Sequence, residues 1–169
     1  MDRSTATVPS PETVHVPDAG DRVQVYLHAG QLFAASAPTV ISTVLGSCVA
    51  VCLHDPVTRV GGMNHYLLPL HVDREHSPRF GTVAVPALVD AMLKAGASRG
   101  AIVAKVFGGA SVIGASGSRG RRLGEENALL ALRLLEEARI PVLDHDVGGS
   151  RGRKVVFFAD EGTAWVRQL

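Results

Sequence analysis

The stretch Val49-Ala50-Val51-Cys52-Leu53 constrains the fold more than any other part of the chain. A near-continuous apolar run of this length is what a β-strand buried on both faces requires. Asp55-Pro56-Val57-Thr58 follows with turn chemistry, the proline pre-setting the turn angle. An apolar segment over 60–68 then returns, and the sequence predicts a hairpin. One arm opens with Gly46-Ser47-Cys48; the other carries Gly61-Gly62-Met63-Asn64-His65, read as a paired-glycine turn leading into the second strand. If the arms are neighbours, a thiol and an imidazole can face each other.

A lone cysteine is more often a small buried hydrophobe than a nucleophile. The context of Cys48 argues otherwise. Gly46 and Ser47 are small enough for the backbone to approach a ligand, and amides around that turn could cradle an oxyanion. An imidazolium beside a thiol whose free pKa is ~8.5 favours the thiolate, and the same ring can later protonate a leaving amine. His65 fits that role, although a strand histidine of this kind can equally be structural. Ser42 and Thr43 are both close enough in sequence to offer a hydroxyl that orients the ring, and the residues alone do not choose between them. Cys52, in the apolar middle of the strand, reads as core. Asn64 should point to the face opposite His65.

Elsewhere the pattern predicts strands over 23–27, 31–35 and 40–44, then 101–107, 142–147 and 154–158. A last arm over 163–167 closes through Asp160-Glu161-Gly162. Helices are predicted over 83–95, with Pro86 near its start or at a bend and Gly96 as its stop, and over 124–138, where Leu129, Leu130, Leu132, Leu134 and Leu135 oppose charged residues. The sum is an α/β protein, a layered sandwich with a mixed, largely antiparallel sheet and two main helices. Residues 1–20, with three prolines and few large apolar side chains, read as a flexible tail, and 21–169 as a single domain.

Bulk properties exclude several classes. A net charge of +1 gives no global field toward nucleic acid or an anionic membrane surface, and no apolar stretch reaches the ~20 residues of a membrane span. The N-terminus lacks the apolar block of a signal peptide, so the cytoplasm is expected. Positions four apart on a strand lie about 13 Å from each other, so Cys48 and Cys52 should both be free thiols. His71, Asp73, Glu75 and His76 have the composition of a metal cluster but read as a solvated loop, and no metal or cofactor is expected. Asp144-His145-Asp146 reads as polar strand surface. Gly108-Gly109-Ala110-Ser111 and Gly148-Gly149-Ser150 match no phosphate-binding fingerprint and read as loops shaped beside the nucleophile. Arg119, Arg121 and Arg122, then Arg151, Arg153 and Lys154, read as two local basic patches, solvated or facing an acidic partner.

The run Leu45-Gly46-Ser47-Cys48-Val49-Ala50-Val51-Cys52, with Asp55-Pro56, Gly61-Gly62-Met63-Asn64-His65 and Leu68-Pro69, resembles the chemotaxis protein CheD family. The resemblance continues, in order, through Lys105, Phe107-Gly108-Gly109-Ala110-Ser111, Gly124-Glu125-Glu126-Asn127, Asp146-Val147-Gly148-Gly149 and Arg153-Lys154. It implies a chemoreceptor glutamine deamidase, a protein-glutamine glutaminase that converts selected glutamines of methyl-accepting chemotaxis receptors to glutamate and ammonia through a thioester. It places the nucleophile at Cys48 and the base at His65, with Gly46 and Ser47 supporting the oxyanion. A hydroxyl six positions before the cysteine, usually threonine, falls on Ser42, with Thr43 as the alternative. The fold implied is the sandwich shared with glutamine-deamidating toxin domains, and a CheC-type phosphatase is an implied partner. The alternative is a regulator that binds receptors or such a phosphatase without catalysis; a peptidase or transglutaminase with the same dyad ranks last.

Overall fold

The computed structural model describes residues 18–70, 76–112 and 117–169, the side chains of 117–121 excepted. Among the described residues, nine strands form two sheets. β1 (Val23–Tyr26), β3 (Thr39–Leu45), β8 (Arg153–Phe158) and β9 (Thr163–Gln168) make a four-stranded sheet in the order β1-β3-β8-β9. β2 (Leu32–Ala35), β5 (Gly61–Asn64), β4 (Val49–His54), β6 (Val103–Gly108) and β7 (Val142–Val147) make a five-stranded sheet in that order. Helices α1 (Gly81–Lys94) and α2 (Gly117–Glu137) pack on the outer face of the second sheet. The layers therefore run helices, five-stranded sheet, four-stranded sheet. The α/β sandwich expected from the sequence is present, but its strands divide between two sheets. Pairing is largely antiparallel. β1 nevertheless runs parallel to β3, because β2 leaves for the other sheet between them, and β6 runs parallel to β7.

β4 explains its own sequence. Val49, Val51 and Leu53 point toward the helices, into a core with Leu88, Met92, Val106 and Leu135. Ala50 and Cys52 point the other way, into a core with Ile41, Leu45, Met63, Phe107 and Phe157 between the sheets. A strand alternates its side chains between faces, so one covered on both sides must be apolar throughout. The turn after it is fixed by Asp55, which is wholly buried. Its carboxylate accepts from the N–H groups of Val57, Thr58 and Ser98. Burial opposes its ionisation, but these donors prevail and hold its pKa at about 2.

Four sequence expectations need correction. Gly61 and Gly62 are not a turn; they open β5 itself. A Cβ on Gly61 would lie 2.0 Å from the Ala159 carbonyl oxygen of the facing segment, and one on Gly62 would lie 2.7 Å from the Phe33 carbonyl oxygen. Glycine is there so that backbones can meet. Second, α1 begins at Gly81, with Pro86 exposed inside it. The carbonyl one turn before Pro86 loses its intrahelical donor, a cost smallest where the helix faces water. Third, α2 begins seven residues earlier than predicted, at Gly117, and Leu129 is 67% exposed; Ala128, Ala131 and Leu135 carry its buried stripe. Val60 to Leu68 also fails to form one long strand. β5 ends at Asn64, and only the Val49–Tyr66 bridge continues the pairing with β4.

Of the predicted tail, residues 1–17 lie outside the described residues; Ala19 is buried against Val40 and Phe158. His71, Asp73 and Glu75 lie outside them too, and no metal-binding cluster occurs among the described residues. No described helix is long and apolar enough to cross a membrane.

The close approach at Gly61 leaves no room for a methyl group. Gly61→Ala should destabilise the fold by about 3 kcal/mol, the upper end for overpacking a dense core. Denaturant unfolding will show it; an unchanged midpoint would mean the sheets can separate there freely.

Candidate active site

Cys48 immediately precedes β4 and His65 immediately follows β5. The Val49–Tyr66 pair sets the register, with each residue donating to the other's carbonyl at 3.1 and 3.0 Å. In that register Cys48 and His65 are diagonal neighbours on one face, the face directed at the four-stranded sheet. The pairing opens locally around His65. Val51 N–H would otherwise bond the Asn64 carbonyl; it bonds Asn64 Oδ1 at 2.8 Å, and Asn64 Nδ2 donates to Ala84 in α1. The His65 backbone points to the other side of the strand and extends the β2–β5 ladder by one residue, its N–H donating to Gln31 and its carbonyl accepting from Gly30. Asn64 thus points away from the cleft, as its strand position predicts, and its amide still positions His65.

The hydroxyl that meets the His65 ring is that of Thr43, not that of Ser42. Thr43 faces the five-stranded sheet from β3 and is wholly buried, with Oγ1 2.8 Å from His65 Nδ1 and 2.7 Å from the Leu27 carbonyl oxygen. Ser42, one residue away, points to the other face of β3, and its buried hydroxyl has no partner among the described residues. Period-two alternation decides the matter: of two adjacent strand residues, only one can reach across to the second sheet.

This geometry assigns the tautomer. A carbonyl can only accept, so the single Thr43 proton goes to Leu27. Oγ1 must then accept from His65, which puts the ring proton on Nδ1 and the free lone pair on Nε2. Nε2 is buried and has no partner among the described residues. No hydrogen bond joins it to the Cys48 sulfur. His65 is 5% exposed, and its pKa falls to about 4, first because burial disfavours the imidazolium and then because His28 repels it, against an opposing pull from the Leu27 carbonyl. Burial raises the half-buried Cys48 thiol, with its own N–H partly offsetting the rise. Both shifts favour the uncharged thiol and imidazole over the thiolate–imidazolium pair expected from the sequence. Cys52 is buried in the inter-sheet core, its thiol raised further by burial, and both cysteines are free.

Consecutive carbonyls around the cysteine are tied inward. Gly46 O accepts from Ala110 N–H at 2.9 Å, Ser47 O from Asn127 Nδ2 at 3.0 Å, and Cys48 O from Gly109 N–H at 2.8 Å. In a planar trans peptide the N–H points opposite to the preceding carbonyl. The N–H groups of Ser47 and Cys48 are consequently turned away from these partners, as donors for an anionic oxygen should be. The Gly108-Gly109 loop comes close enough for this because it lacks side chains: a Cβ on Gly108 would lie 2.2 Å from Cys48 O. Gly108 and Gly109 both have positive φ, 110° and 67°. Gly148 N–H in turn bonds Gly108 O, and Ser111 N–H bonds Gly149 O, so both glycine motifs shape loops behind Cys48.

Arg153 does not belong to a solvated basic patch. It is 3% exposed and donates to Gly108 O, Gly148 O and Asp146 Oδ1. Asp146, expected as plain polar surface, is its ion partner. Arg151 and Arg122 are exposed; the side chains of Arg119 and Arg121 lie outside the described residues. Sequence reasoning gave Asn127 no role of its own. A wholly buried asparagine at a core position of an amphipathic helix was the signal available, since such a group needs hydrogen-bond partners.

The His65 shift has a definite sign. Its unfolded value is near 6.5 and its folded value about 4. The unfolded chain therefore binds the extra proton between them, and stability is lost as pH falls from 6.5 toward 4. Subtracting the denaturation midpoints of His65→Asn from those of the parent across that range should isolate this loss; a flat difference would contradict a buried neutral ring. Iodoacetamide should label Cys48 and spare Cys52, with a rate that rises through alkaline pH. A plateau beginning near pH 5 would instead reveal a preformed thiolate.

The profile described as CheD chemotactic sensory transduction matches residues 67–168, which begins beyond Cys48 and His65. Full-length similarity covers the rest. The chain is 68% identical over 173 residues to a probable chemoreceptor glutamine deamidase CheD 1 of Anaeromyxobacter dehalogenans (strain 2CP-C), covering 100% of both chains. It is 46% identical over 145 residues to the probable chemoreceptor glutamine deamidase CheD of Sulfurimonas denitrificans, covering 85% of this chain and 93% of that one. A probable chemoreceptor glutamine deamidase CheD 1 of Shewanella oneidensis is 43% identical over 156 residues, 88% of this chain and 74% of the relative. With a cysteine turn, a buried histidine and a three-layer fold arranged as described, the chain belongs to the CheD family.

Proposed function

We propose that this protein hydrolyses the side-chain amide of glutamines on chemotaxis receptors, with Cys48 as nucleophile and His65 as base. The observation that carries the reading is the fixed His65 tautomer: Nδ1–H is committed to Thr43, and a free Nε2 lone pair remains on the face shared with Cys48. The names of the relatives supply the substrate class.

The chemistry follows from the neutral resting pair. His65 Nε2 takes the Cys48 proton as the sulfur attacks the amide carbon, so charge separates only when substrate is present. The carbonyl electrons move to oxygen, and the N–H groups of Ser47 and Cys48 stabilise that oxyanion. Collapse breaks the C–N bond while Nε2–H protonates the departing nitrogen, giving ammonia and a thioester. Nε2 then removes a proton from water, which attacks the thioester carbon; the sulfur leaves and is reprotonated as glutamate forms. Thr43 holds the ring by accepting from Nδ1 throughout, and the Leu27 carbonyl holds Thr43. A CheC-type phosphatase bound at the same face is the regulator this reading implies, and the cytoplasm is where receptor signalling domains would meet it.

Incubation of the purified protein with receptor, followed by peptide mass spectrometry and ammonia assay, tests the proposal. Cys48→Ala and His65→Ala should abolish conversion. Thr43→Val should lower kcat about 100-fold, the low end of what acid–base transfer contributes, whereas Ser42→Ala should stay near the parent rate. Receptor binding without conversion would favour the regulator instead, and loss in Ser42→Ala with none in Thr43→Val would reverse the orienting role.

A further inference from the structure

Among the described residues, Asn127 is the one side chain that ties the turn of Cys48 to the segment that follows His65. It is wholly buried on α2, and its Nδ2 donates to Ser47 O at 3.0 Å and to Leu67 O at 2.8 Å. Ser47 immediately precedes Cys48; Leu67 follows His65 by two residues. Neither carbonyl takes a hydrogen bond from any other group among the described residues. Because both acceptors are carbonyls, the amide orientation is fixed: nitrogen faces them, and the buried Oδ1, without a partner, is not a misassigned nitrogen. Tyr66, between the two catalytic arms, donates its hydroxyl to the Asn127 backbone carbonyl. The helix itself cannot drift, since its Gly124 meets Gly109 and Ala110 backbone to backbone, where a Cβ would lie 2.5 Å from Ala110 O.

We propose that Asn127 is a positioning residue for the oxyanion site: by holding Ser47 O, it turns the N–H of the same peptide, that of Cys48, toward the reacting carbonyl oxygen. Gly46 O and Cys48 O are held by backbone amides of the Gly109-Ala110 loop, so the peptide joining Ser47 to Cys48 is the one whose rotation depends on a side chain. Without the Nδ2 donor, Ser47 O is a part-buried acceptor that has lost its one partner among the described residues. The cheapest relief is rotation of that peptide plane, which misaims the Cys48 N–H while leaving the sulfur in place. As an assignment within the deamidation reaction this rests on the function proposed above, but its physical content applies to any carbonyl that Cys48 attacks.

Two small reagents separate the effects. p-Nitrophenyl acetate acylates Cys48 through a tetrahedral oxyanion: sulfur bonds to the carbonyl carbon, His65 Nε2 takes the thiol proton, and collapse expels p-nitrophenolate. Iodoacetamide alkylates the same sulfur by direct displacement of iodide, with no oxyanion. In Asn127→Leu, nearly isosteric and without a donor, acylation should fall about 10- to 100-fold, toward the cost of losing an oxyanion donor. Alkylation should stay within about 3-fold of the parent, because thiol access and basicity are untouched. Receptor glutamine conversion should fall in kcat by the same factor as acylation, with KM little changed. Equal losses in both small-molecule reactions, or a loss in neither, would overturn the assignment. If Asn127→Leu shows no cooperative unfolding transition, Asn127→Ser, which reaches at most one of the two carbonyls, is scored on the same ratio. A parent protein that converts no receptor glutamine while the acylation ratio still drops would refute the proposed function and leave the role of Asn127 standing.

Discussion

The hydrogen bond from His65 Nδ1 to Thr43 Oγ1 is the interaction on which the site depends. It spans the gap between two sheets, from the end of β5 to the middle of β3. The Leu27 carbonyl claims the hydroxyl proton, and that single commitment propagates outward. It makes Thr43 an acceptor, His65 a donor at Nδ1, and Nε2 a base. Three atoms in series thus define the protonation pattern of the ring without any charged partner.

Burial then sets how the site rests. It lowers the imidazole and raises the thiol, so both shifts oppose an ion pair in the empty site. A cysteine enzyme with a stored thiolate is reactive toward any passing electrophile or oxidant; a neutral pair is reactive only when bound substrate takes part in the charge separation. In that arrangement the oxyanion donors matter more, because charge that is not stored beforehand has to be stabilised as it develops.

The scaffold behind the cysteine is built from groups that appear decorative in the sequence. Gly108, Gly109 and Gly124 let backbones meet at distances no side chain would permit, and their contacts aim the carbonyls of Gly46 and Cys48. Arg153 fastens the rear of the same loops through Gly108 O and Gly148 O, paired with Asp146. A buried guanidinium is costly unless its donors are used, and here most are. The turn that carries Cys48 is therefore held in place because several segments distant in sequence converge on three consecutive peptides.

What the sequence determined by itself was local and periodic. The continuous apolar run of β4, the Asp55 turn, the strands β1, β8 and β9 and the presence of two helices follow from side-chain chemistry over a few residues, and so does the pairing of arms that makes Cys48 and His65 neighbours. Tertiary structure decided everything that depended on what lies across a gap. Whether Ser42 or Thr43 met the ring was a question of which face of β3 looked at the second sheet. Gly61-Gly62 looked like a turn because the carbonyls they accommodate, those of Ala159 and Phe33, lie far away in the chain. Arg153 looked like surface, and Asn127 went without a role, because hydrogen-bond partners are set by packing. The titration of Cys48 and His65 belonged to the same class: residue type fixes the starting pKa, but only the assembled layers fix how much water is left around the groups.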